Sequence, residues 1–181
     1  MIAEFSKFAG FKVLNFFLMH PSTELHVQGL AKKLGINGAT SAHYCSSLAK
    51  DSILNFKKQA NLKLYSLNNN SALAKELKKT AALLFFKEKG IEKIINDCNS
   101  FAIYGSFADG TFDEKSDLDL IVIGKKESIN AEELSKFEKL IPWEVSITAM
   151  QYFELEAKKK KKDAFVLEIE KKHILLKGAE L

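Results

Sequence analysis

The stretch "FAIYGSFADGTFDEKSDLDLIVIG", residues 101–124, restricts the fold more than any other part of the chain. Two apolar runs of strand length flank a Gly-Ser turn, and the second run carries Asp117 and Asp119. Alternate residues of a strand point to one face, so the two carboxylates stand side by side, about 7 Å apart. Carboxylates set into an apolar strand cost several kcal/mol unless something compensates them. A cation, a helix N-terminus or a functional site would do so. The segment therefore calls for a sheet with an acidic site built at one strand.

The first half of the chain has a different character. Residues 5–19 place Phe5, Phe8, Phe11, Val13, Leu14, Phe17 and Leu18 on one broad helical stripe, which His20-Pro21 ends. Ser22 or Thr23 is expected to cap a second helix that buries Leu25, Val27, Leu30, Ala31 and Leu34, with Gly35 closing it. A third helix is predicted over about residues 39–50, with Ala42, Cys45, Leu48 and Ala49 inward. "SILNFKK" and "LKLYSLN" then read as a hairpin, with Leu62, Leu64 and Leu67 set against Lys63, Tyr65 and Ser66. Three helices followed by a hairpin resemble the winged helix-turn-helix family. That resemblance implies a recognition helix offering Ser41, His43, Tyr44 and Ser47 to bases. It implies wing lysines Lys57, Lys58 and Lys63 on phosphates of double-stranded DNA or RNA. The other use of such a domain is protein contact or dimerisation.

Charge divides the same way. Residues 1–90 hold 13 Lys against 5 acidic residues, and residues 91–181 hold 14 Lys against 18. A basic half and an acidic half suggest two modules with different partners. There is no Arg, so every cationic contact is a lysine point charge.

"NNNSALAK" marks a boundary, giving a winged-helix domain at 1–69, connecting helices at 70–98 and a third region at 99–181. The connector is a Lys-rich helix to about Lys89, broken by Gly90, then a short helix over 91–98. Beyond the opening segment, residues 130–140 are predicted helical, "WEVSITAM" a strand, 150–172 helical and "HILLKG" a last strand. The fold class expected is α+β: three helices plus a β-hairpin, then a mixed-sheet α/β domain.

Gly105-Ser106, Ala108, Gly110 and then Ser116-Asp117-Leu118-Asp119-Leu120 resemble the nucleotidyltransferase superfamily that includes DNA polymerase beta, and more closely its minimal nucleotidyltransferases. The resemblance covers roughly residues 90–181. It implies Mg²⁺ or Mn²⁺ on Asp117 and Asp119, an NTP as substrate, and nucleotide contacts at Gly105, Ser106 and Ser116. Chemistry agrees: hard Mg²⁺ takes one or two carboxylates plus substrate phosphates. A third carboxylate normally completes the family's site. Glu144 is the candidate, and a register shift of one would put Val145 there and leave two. Asp109 departs from the family, many of whose members are basic there; Lys115, Lys125 and Lys126 are the cations at hand to compensate.

The resemblance implies transfer of NMP to a nucleic-acid or protein acceptor. Two alternatives stand beside it: a toxin–antitoxin component with a toxin-like partner, or a DNA-binding regulator whose second domain senses nucleotide without turnover. Two distant cysteines, no apolar run of bilayer length and no signal peptide point to a cytoplasmic protein without membrane contact. Phe clusters would suit a homodimer. The run Lys158–Lys162 reads as a solvated helix face, and His173 as structural.

Overall fold

The computed structural model describes residues 7–181, so Phe5 lies outside the described residues. The chain forms two compact units, Met1–Ala81 and Ala82–Leu181. Among the described residues no helix is long and apolar enough to cross a membrane.

The first unit runs α1 (Ala9–Met19), β1 (Leu25–His26), α2 (Val27–Leu34), α3 (Gly38–Lys50), β2 (Leu54–Gln59) and β3 (Leu62–Leu67). This is a winged helix-turn-helix. Its sheet has the order β1-β3-β2. The second helix starts later than Ser22 or Thr23. Leu25 and His26 are instead paired with Tyr65 and Leu64 of β3, and the His26 ring caps α2 by accepting from the Gly29 N–H at 3.2 Å. Gly35, at φ +63°, ends that helix in the left-handed region that favours glycine. Asn37 caps α3 by accepting from the Ala39 N–H at 2.7 Å. In the hairpin the buried face of β3 is Tyr65 and Leu67, while Leu62 is 51% exposed, so the apolar side is the reverse of the leucine-inward pattern at that end.

The second unit takes in the end of α4 (Ala72–Glu88), then a 3₁₀ turn (Ile91–Ile94), β4 (Ser100–Tyr104), α5 (Gly105–Asp109) and β5 (Leu118–Ile123). It continues with α6 (Ala131–Glu138), β6 (Val145–Met150), α7 (Tyr152–Lys160), α8 (Ala164–Lys171) and β7 (Ile174–Gly178). The sheet order is β6-β5-β4-β7. β4 is antiparallel to β5 and β7, and β5 is parallel to β6, so the sheet is mixed. The helix expected over 91–98 shrinks to the 3₁₀ turn. Beyond it Ile95 bridges to Ile129 and the Asn96 N–H donates to the Ser128 carbonyl at 3.0 Å. The helix expected over 150–172 is two helices. Lys162 turns at φ +55°, and Asp163 restarts the chain by accepting from the Val166 N–H at 3.2 Å.

Both faces of the central strands are apolar. Ala102, Ile121, Ile123 and Met150 pack with Leu155, Val166 and Ile169 of α7 and α8. Phe101, Ile103, Leu118, Leu120 and Val122, of the opposite parity, are buried as well. An aromatic cluster joins Phe107 to Phe86, Phe112 and Trp143 with ring centroids 5.3, 4.2 and 5.2 Å apart. The polar interruption at the start of β5 is Asp119, the strand's second residue; Asp117 precedes the strand and is exposed, so it is not set into the apolar run as the sequence suggested.

Candidate active site

Asp119 is registered opposite Tyr104 on β4 and Ser146 on β6. The residue after Tyr104 is Gly105, which opens α5 at φ +67°. A Cβ at Gly105 would stand 2.5 Å from Asp119 Oδ2, so only glycine fits both the backbone angle and the space. The strand-to-helix turn is thereby pressed directly against one of the two carboxylates. Burial, and then the neighbouring charge of Asp117, push the Asp119 carboxyl above its ordinary value. Neither aspartate has an ion-pair or hydrogen-bond partner among the described residues.

The register also bears on where a third carboxylate could stand. Leu118 is paired with Val145, and the Leu118 N–H donates to the Glu144 carbonyl at 2.8 Å. Registered partners point to the same face of a sheet, so Val145 shares the face of Leu118, away from Asp119. The residue opposite Asp119 on β6 is Ser146, while Asp117 and Glu144 each immediately precede their strands. Glu144 is exposed, and among the described residues no three carboxylate, His or Cys side chains converge as one metal cage. The donor set is a pair of hard carboxylate oxygens, those of Asp117 and Asp119. That fits Mg²⁺, which fills its shell with substrate phosphates and water.

Ser106 and Ser116 differ in their surroundings. The Ser106 carbonyl accepts from the N–H groups of Thr111 and Phe112 at 2.9 and 3.2 Å, while its hydroxyl has no partner among the described residues. The Ser116 hydroxyl accepts from the Asp113 N–H at 2.9 Å and donates to Asp113 Oδ1 at 3.2 Å. Trp143 Nε1 donates to the Asp113 carbonyl at 3.0 Å. These bonds tie the loop before Asp117 to the residue before Glu144. Ser116 thus orders that loop.

Nothing in the sequence points to Lys172. Its Nζ is 3.0 Å from Asp109 Oδ1. Tyr104, Gly105, Asp109, Phe165, Glu168, Ile169 and Lys172 line a cleft of about 100 Å³. Lys125 and Lys126 are not placed to help, since they lie six and seven residues past Asp119, about 20 Å along an extended strand. In the run 158–162, Lys158 and Lys159 are paired with Asp163 and Glu170 at 3.3 and 2.9 Å. His173 bonds the Ile169 carbonyl and Glu180, 2.9 and 2.8 Å away, and is structural.

In the first unit, Ser41 has to be removed from the set that could touch bases. It is completely buried, on the inner side of α3 with Cys45, whose thiol burial pushes up to about 11. Tyr44 packs on α1, where a Cβ at Gly10 would come within 2.7 Å of its ring. His43 and Ser47 are exposed. Lys57, Lys58 and Lys63 are exposed on the hairpin, with Lys58 opposite Lys63, Lys57 paired with Glu24, and Lys63 over the Phe56 ring at 4.9 Å.

Residues 87–176 match the family model described as nucleotidyltransferase domain. The match includes every residue placed above around Asp117 and Asp119. Among solved structures, reduced HlyU from Vibrio cholerae N16961 is 20% identical, with a TM-score of 0.36 over 46% of this chain and 83% of that one. The transcriptional regulator HlyU from Vibrio vulnificus CMCP6 is 22% identical, with a TM-score of 0.35 over 46% of this chain and 82% of that one. No curated protein matches the chain.

Proposed function

We propose that this protein, whose residues 87–176 carry a nucleotidyltransferase domain, moves a nucleoside monophosphate from an NTP to a hydroxyl of a nucleic-acid or protein acceptor. The observation that carries the reading is the close approach of Gly105 to Asp119, with Asp117 two residues earlier, just before β5. It sets a glycine turn free of side-chain bulk against a carboxylate pair that lacks any partner within the described chain. Asp117 and Asp119 would hold Mg²⁺ or Mn²⁺. When bound, the ion neutralises phosphate charge and stabilises the entering and leaving oxygens.

The chain's own groups supply the rest. The unpartnered Ser106 hydroxyl and the N–H groups of its turn are donors for phosphate oxygens. Glu144, an exposed carboxylate just before β6, would accept the proton of the acceptor hydroxyl. Trp143 and Ser116 fix the backbone on which Asp117 and Glu144 stand. The winged helix would hold the enzyme on duplex DNA or RNA through Lys57, Lys58 and Lys63, with the exposed His43 and Ser47 on the recognition helix. A toxin-like partner would be one case of a protein acceptor.

The exposed position of Glu144 and the lack of a three-donor cage among the described residues favour a second reading, a DNA-binding regulator that senses nucleotide without turnover. One experiment separates the two. The protein is incubated with α-labelled NTPs, Mg²⁺ and cellular RNA and protein, beside an Asp117→Asn/Asp119→Asn variant. Label that enters RNA or a protein band, and is lost in the variant, establishes transfer and names the acceptor class. NTP binding that depends on the aspartates, with no label in any acceptor, supports the sensor.

A further inference from the structure

The turn that presents Gly105 and Ser106 ends in an acid, Asp109, where a triphosphate would be repelled. The structure shows what offsets that charge. Lys172 follows α8, far away in sequence, and reaches Asp109 Oδ1 at 3.0 Å. Both residues line the cleft that also contains Tyr104 and Gly105. Since Gly105 abuts Asp119, this cleft adjoins the carboxylate pair.

The Lys172 side chain is 62% exposed and that of Asp109 is 31% exposed. Such a pair holds weakly in water. A polyphosphate offers the ammonium a stronger partner than one half-buried carboxylate does, because it carries several charges at once. Glu168, also on the cleft, adds a second negative charge and leaves Lys172 as the cation there.

Resting on the nucleotidyltransferase reading, we infer that Lys172 is the binding group for the β and γ phosphates of the NTP, and that Asp109 is its internal competitor. Asp109 keeps the ammonium beside the Gly105 turn in the free protein. On NTP entry the ammonium exchanges the carboxylate for the polyphosphate. No bond is made or broken in this exchange, and neither residue touches the α-phosphate.

The test is calorimetric titration of the full chain with ATP and with AMP in Mg²⁺. It uses the wild type, Lys172→Met, Asp109→Asn, the double variant and Asp117→Asn/Asp119→Asn. Lys172→Met is expected to weaken ATP binding about tenfold and to leave AMP binding unchanged, as loss of one charge-assisted contact to the outer phosphates requires. Asp109→Asn is expected to tighten ATP binding about threefold, and only when Lys172 is present. If wild-type ATP binding depends on Asp117 and Asp119 but not on Lys172, this inference fails while the nucleotidyltransferase reading stands. It fails in the same way if Asp109→Asn gives an equal gain with methionine at 172, because the acid then acts through its field and not through the lysine. If the wild type binds none of ATP, GTP, CTP and UTP in Mg²⁺, the nucleotidyltransferase reading fails and this inference with it.

Discussion

Asp119 carries a cost that the fold accepts. Its carboxyl is pushed upward by burial and by Asp117. A carboxyl whose folded pKa lies above its unfolded one binds its proton more tightly in the native state. Stability therefore falls as pH rises from the ordinary Asp value of about 3.9 through the raised native value, and the whole penalty is present above it. Asn at this position mimics the protonated form at every pH. Asp119→Asn is expected to melt at a higher temperature than the wild type at pH 7, with the difference closing near pH 3. Added Mg²⁺ is expected to raise the wild-type melting temperature and not that of the variant. Thermal denaturation over pH, with and without Mg²⁺, measures both effects, and an equal Mg²⁺ shift in the two proteins would remove Asp119 from the metal site. Gly105 makes the complementary prediction. Alanine there meets both a φ of +67° and the Asp119 carboxylate at 2.5 Å. Gly105→Ala should lose about 1–3 kcal/mol of stability along with nucleotide binding. Wild-type denaturant midpoints in that variant would show that the turn yields more easily than its geometry suggests.

The elements that carry these residues are held by a few side-chain ties, and Trp143 is the most telling. Its indole N–H bonds the Asp113 carbonyl, while its ring packs on Phe107. Trp143→Phe keeps a ring but removes the donor, and should cost about 1–2 kcal/mol. If the tie positions Asp117 and Glu144, transfer should slow while KM for the NTP changes little. A rise in KM alone would place the loop on the nucleotide instead. Ser116→Ala should move the rate in the same direction. This layer is only partly legible in the sequence. The strands and the Gly-Ser turn follow from a period of two and from local turn chemistry, both visible within a few residues. Which residue of β6 faces Asp119 depends on a register that no local pattern fixes; the structure sets Ser146 there. Leu25 and His26 have a spacing that suits α2, yet pairing with β3 overrides that local preference. Ser41 misleads because a small hydroxyl residue suits a buried position as well as an exposed one. The break between α7 and α8 has no Gly or Pro to announce it, since the left-handed residue is Lys162. Lys172 leaves no local signal, because only the tertiary fold brings the end of α8 to Asp109.

On the scale of the whole molecule, the charge division sets the last prediction. Residues 1–90 hold 13 Lys against 5 acidic residues, while residues 91–181 hold 14 against 18. A polyanion is therefore drawn to the winged-helix half and repelled by the other, apart from local cations such as Lys172. Within the first half, Lys57, Lys58 and Lys63 lie together on the β2–β3 hairpin. Lys58 and Lys63 face each other across the strands, an arrangement of like charges that destabilises a hairpin unless an anion compensates it. Lys57 is already paired with Glu24 and should contribute least. Binding of duplex DNA by the full chain, followed by fluorescence anisotropy over a range of salt, reads the number of phosphates neutralised. Each lysine contact removed should lower the slope of log affinity against log salt by about 0.9. Lys58→Gln/Lys63→Gln should therefore lower it by about 1.8, and Lys57→Gln by less than either single contact. ATP binding in Mg²⁺ should stay at the wild-type level in both variants, because the altered residues lie on the other unit. An unchanged slope in Lys58→Gln/Lys63→Gln would take the wing off the phosphates and leave α3, through His43 and Ser47, as the nucleic-acid surface. No duplex binding even at low salt would assign the winged helix to protein contacts, where its exposed Phe56 and Leu62 would then matter more than its lysines.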